Sequence, residues 1–62
     1  MNNEEKARLY DEYLRESDDL QRQNSRIKSE YVGNIPPNLE EQIKRNQQRI
    51  SVLVAKLEGL FN

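Results

Sequence analysis

The 62-residue chain has no cysteine, no histidine and no tryptophan, and only two glycines, two prolines and four aromatic residues. Each shortage closes off a class of function. Without cysteine there is neither a disulfide staple nor thiolate chemistry. Without histidine the commonest metal ligand and the usual general base are missing. Two glycines cannot build a loop that cradles phosphate. Ser17, Ser25, Ser29 and Ser51 have no base to activate them. The neighbouring carboxylates Glu4–Glu5, Asp18–Asp19 and Glu40–Glu41 diverge by roughly 100° on a helix, too far apart to share an ion. The expectation is therefore a chain with no enzyme activity, no metal and no cofactor. The most apolar stretch, residues 50–61, is short and is interrupted by Lys56 and Glu58, so no membrane span is expected. The N-terminus is polar and acidic rather than signal-like, which points to a cytoplasmic location.

Charge of one sign is lacking too. Ten basic and eleven acidic residues leave a net charge of −1, so the whole chain has no pull toward nucleic acid or anionic lipid. A third of the residues are charged, a composition that invites disorder. The spacing of the apolar residues opposes that reading.

Tyr10, Tyr13, Ser17, Leu20, Asn24, Ile27 and Tyr31 follow one another at alternating intervals of three and four. This is a heptad seam on a helix expected over about 3–32. Asn2 or Asn3 can cap its start, with Glu4 and Glu5 at the positive end of the helix dipole. Leu39, Ile43, Asn46, Ile50, Leu53, Leu57 and Leu60 repeat the pattern on a second helix over about 39–61. Asn38 is its expected N-cap, with Glu41 completing a capping-box-like pair. Between them, 33–38 reads as a turn. Gly33 supplies a left-handed residue, and Pro36 and Pro37 resist helix extension. The tip Ile35-Pro36-Pro37 is also a candidate for recognition by a partner, although Ile35 has Tyr31 and Leu39 at hand to pack against.

Folding the second helix back so that paired numbers sum to 70 aligns the whole seam. Asn24 meets Asn46, small Ser17 meets large Leu53, and Tyr10 meets Leu60. On one flank the expected pairs are Glu16–Lys56, Gln23–Arg49 and Glu30–Gln42. On the other they are Lys28–Glu40, Gln21–Gln47, Leu14–Val54 and Ala7–Phe61. No like charges meet, and core, polar layer and flanks agree on one register. The fold class is thus all-α, an antiparallel helical hairpin of the two-helix coiled-coil type, a single unit over 1–62. The Asn24–Asn46 layer sets its register, because a slipped pairing would bury an amide against an apolar side chain.

So short a chain buries too little surface to be comfortably stable alone. Its apolar stripe is also wider than one seam requires. Ala7, Leu9, Tyr10, Leu14, Val52, Val54, Leu57 and Phe61 gather toward the end that carries both termini. They form the expected interface with a second copy, as in a four-helix bundle with crossings of about 20°, or with another protein. The function this implies is a non-catalytic protein–protein interaction module: a small self-associating adaptor, chaperone or assembly factor. The alternative is a four-helix bundle that binds nucleic acid. Residues 1–21 carry a net −4 and residues 22–49 a net +3. Arg22, Arg26, Lys44 and Arg45 form a basic belt in the loop half that could contact phosphates. The belt has no aromatic residues for stacking on bases, and interspersed acids dilute it.

Overall fold

The computed structural model describes residues 2–61. Two helices, α1 (Asn3–Glu30) and α2 (Pro37–Gly59), pack against each other, and no strand occurs among the described residues. The principal extents are 47 × 15 × 13 Å. Contacts run Tyr10 to Phe61, Tyr13 to Lys56 and Asn24 to Asn46. Numbers fall along α2 as they rise along α1, so the hairpin is antiparallel.

The seam is where the heptads put it. Every buried residue among those described is a seam position: Ser17, Asn24 and Ile27 on α1, and Ile43, Asn46, Leu53 and Leu60 at the facing positions of α2 and its end. Tyr13, Leu20, Leu39, Ile50 and Leu57 are half-buried. Leu53 is 0% exposed, and Ser17 opposite it is buried as well. A leucine fully removed from water contributes about 1.5–3 kcal/mol. The small serine leaves the room that lets it sink to that depth.

One polar layer crosses this seam. The Asn46 amide nitrogen donates to Asn24 Oδ1 at 2.8 Å and to Gln23 Oε1 at 2.6 Å. Gln42 Nε2 donates to Asn46 Oδ1 at 3.0 Å, and Asn24 Nδ2 donates to the Ile43 carbonyl at 3.4 Å. Among the described residues no buried side-chain nitrogen or oxygen lacks a partner. The layer therefore escapes the cost of about 1–3 kcal/mol that an orphaned buried amide carries.

The helix ends differ from the sequence expectation. Asn2 is the cap of α1, its Oδ1 accepting from the Glu5 amide at 2.8 Å. Helix α1 stops at Glu30 rather than Val32. Tyr31 leaves helical geometry (φ −118°, ψ 49°), its carbonyl accepts from the Asn34 amide, and Gly33 takes φ +85°. The reversal thus begins one residue after Glu30, and Val32 is left 83% exposed. Helix α2 begins at Pro37, so Asn38 is not its N-cap and no capping box forms with Glu41. The reason is local. A proline ring at the first helical position already holds the helical φ, and its missing N–H would have had no partner there. The Pro36 carbonyl accepts from Leu39 and Glu40 at 3.0 Å each. At the far end α2 closes at Gly59, and Leu60 turns its amide back to the Lys56 and Leu57 carbonyls.

Replacing one member of the polar layer should cost more than replacing both. Asn46→Leu strands the buried Asn24 Oδ1 and should lower the urea-unfolding free energy by about 1–3 kcal/mol. The double variant Asn24→Leu/Asn46→Leu removes the stranded groups and should recover most of that loss. A double variant less stable than both single variants would contradict this account of the layer.

Candidate interaction surface

The two flanks of the seam differ in chemistry. The first carries charge. Arg49 grips Glu16 with two bonds, Nε to Oε2 at 2.6 Å and Nη2 to Oε1 at 3.1 Å. This replaces the expected Glu16–Lys56 and Gln23–Arg49 pairs. The planar guanidinium matches a carboxylate two atoms at a time, which a lysine cannot do. Gln23 and Gln42 are drawn instead to the two ends of the Asn46 amide, so the expected Glu30–Gln42 pair gives way too. The Lys56 ammonium sits 5.4 Å from the centre of the Tyr13 ring, a cation–π distance. The hydrogen-bonded Arg49 guanidinium holds the Glu16 carboxyl below its ordinary range, with Lys56 adding a smaller pull. The same pairing raises the Arg49 pKa.

The second flank is apolar at the open end. Tyr10 and Phe61 pack edge to face, with ring centres 5.9 Å apart and planes at 72°. Ala7, Tyr10, Leu60 and Phe61 line a shallow depression there, together with the polar Asn3, Lys6 and Asp11. Leu14 and Val54 continue the strip toward mid-rod, both exposed, while Phe61 is 70% exposed. Toward the loop the same flank turns wholly polar, with Gln21, Lys28, Glu40 and Gln47 all exposed. The strip has an acidic border. Asp11 and Asp18 lie one helical turn to either side of Leu14, Glu4 precedes Ala7 by a turn, and Glu58 stands between Val54 and Phe61.

Not every expected interface residue joins this strip. Val52 is three residues from Arg49 and four from Lys56, which puts it on the charged flank. Leu9 lies two turns before Glu16 in the same row. Leu57 belongs to the seam and is half-buried. The exposed strip is thus Ala7, Tyr10, Leu14, Val54 and Phe61. Helical spacing also divides the basic belt. Arg26 and Arg45 share the flank of Gln23 and Gln42, Lys44 falls in the row of Gln47 on the opposite flank, and Arg22 lies behind α1 with Asp18. Arg45 is 4.0 Å from Glu41. Residue spacing alone could have sorted all of these; the flank rewiring could not be foreseen, because it depends on how far long side chains reach.

The chain spans no candidate metal centre and no membrane-length apolar helix among the described residues. Compared with protein-family models, with curated proteins and with solved structures, it matches none.

The Glu16–Arg49 pair makes a pH prediction. A carboxylate whose pKa is depressed on folding stabilises the fold above its unfolded value, and that contribution disappears as pH falls through the folded one. Glu16→Gln should therefore lower stability at pH 7 and flatten its decline as pH falls through and below the ordinary carboxyl range. Parallel curves for the two proteins from pH 7 to 3, followed by circular dichroism, would contradict the pairing.

Proposed function

We propose that the protein is a non-catalytic interaction module, a helical hairpin that associates with a second copy of itself through the strip Ala7, Tyr10, Leu14, Val54 and Phe61 and works as an adaptor, small chaperone or assembly factor. One observation carries this reading. Ala7, Leu14, Val54 and Phe61 lie outside the seam and gather, with the exposed edge of Tyr10, on one flank of one half of the rod, while the other half of that flank is polar; Leu9, Val52 and Val32 lie apart from them. Scattered apolar residues are ordinary on any surface; a one-sided, one-ended cluster that includes a 70% exposed phenylalanine is not. Surface area supports it. The hairpin exposes 4879 Å², whereas a compact monomer of its mass exposes roughly 4,200 Å². The excess of about 700 Å² is close to the roughly 800 Å² that each partner contributes to a standard interface.

The energetic balance favours closure. Burying an aliphatic or aromatic side chain contributes about 1.5–3 kcal/mol, whereas exposed charges at the rim are screened beyond about 8 Å at physiological salt. Association through the strip joins halves that each carry a net −4 over residues 1–21, so added salt should tighten it. Binding of phosphates through Arg22, Arg26, Lys44 and Arg45 would loosen steeply with salt. The sign of the salt effect separates the two functions.

Sedimentation equilibrium supplies the test. The wild-type chain should run as a stable multiple of 7.4 kDa. Val54→Lys/Phe61→Lys should weaken association by about a hundredfold or more while keeping its helical signal. An unchanged mass for that variant, or a wild-type chain that stays monomeric at every concentration, would contradict the proposal.

A further inference from the structure

How the second copy sits follows from the borders of the strip, and this inference rests on the self-association proposed above. On the strip's side, α1 carries an outer row of Glu4, Asp11 and Asp18, and α2 carries Lys44, Ser51 and Glu58. The seven-residue spacing within each row keeps its members on one line along the rod. A closed pair needs a two-fold axis, and two arrangements bring the strips together.

In the first, the loops point to opposite ends. The strips then overlap only across the open halves, and α1 lies antiparallel on α1 of the second copy. The row Glu4, Asp11 and Asp18 meets itself, which lines up six carboxylates, and Glu58 meets Glu58 across α2. In the second, the loops point to the same end and α1 lies on α2 of the second copy. Leu14 then meets Val54 and Ala7 meets Phe61, the level-matched residues of the hairpin repeated between chains. Beyond the strip Lys28 meets Glu40, Gln21 meets Gln47, and the outer row sets Asp18 against Ser51 and Ser25 against Lys44. The only like charges to meet are Asp11 and Glu58, once on each side of the two-fold axis. Like charges held side by side weaken an interface and select against that pairing.

We infer that two hairpins pair side by side with their loops at the same end, so that each α1 covers the strip side of the other chain's α2. The pair is a short, thick rod, acidic where the four termini lie and basic at the two loops.

The absence of native cysteine makes a direct test simple. Asn34, in the turn after Gly33, is replaced by Cys and spin-labelled, and the distance between labels in the associated full-length chain is measured by pulsed electron resonance. At the 8–10 Å spacing of packed helices the two labels should fall roughly 10–25 Å apart. Gln47→Cys, on the polar part of the same flank, should give a similarly short distance and guards against a disturbed loop. Distances at Asn34 beyond the 47 Å length of one hairpin would place the loops at opposite ends. That overturns this arrangement and leaves self-association intact. A monomeric mass with no coupling between labels overturns both; the acid-bordered strip would then fit a basic amphipathic helix from another chain.

Discussion

The hydrogen-bonded layer of Asn24 and Asn46 is the constraint on which the rest of the hairpin depends. A seam of Leu, Ile and Tyr alone would tolerate a slip of one heptad, because each apolar side chain would find another to meet. A slip sets Asn24 against Leu39 or Leu53 and buries an amide with no partner. Gln23 and Gln42 raise the penalty, since both turn inward to complete the Asn46 amide and have no such group to serve in another register. Fixing the register fixes everything outside it. It puts Ser17 beneath Leu53, Glu16 within reach of Arg49, and Tyr10 against Phe61. It also decides that Ala7 and Leu14 of α1 line up with Val54 and Phe61 of α2 on one flank.

Much of this was legible in the residues. The alternating three-four spacing named the fourteen seam positions, and every buried residue is one of them. The single asparagine in each half of the pattern named the polar layer. Two kinds of feature were harder to read. Pro36–Pro37 looked like a barrier to helix, yet Pro37 opens α2, because the property that stops a helix in its middle suits its first position. The flank partners differ from those the heptads predict because heptad letters describe backbone levels, whereas Arg49, Gln23 and Gln42 bond wherever their long side chains find the best geometry. Leu9 and Val52 share the strip's nearness to the open end, but the helical turn separates them from it.

The division of the rod into unlike halves gives the molecule its character. Near the loop the hairpin is closed, polar on both flanks and net positive. Near the termini it is acidic and carries the uncovered strip. A two-helix unit has one seam and cannot surround its own apolar residues, so the open half is stable in water only at the cost of exposed Leu14, Val54 and Phe61. Acidic residues border that strip, and like charge on an approaching surface would be disfavoured there.

The register is the central claim, and solution NMR on the chain with asparagine and glutamine side chains labelled with nitrogen-15 tests it most directly. Through-space contacts are expected between the Asn24 and Asn46 side chains, together with ring contacts between Tyr10 and Phe61. Contacts of Asn24 with Leu39 or Leu53 in their place would show a slipped hairpin, and with it a different strip, a different border and a different partner.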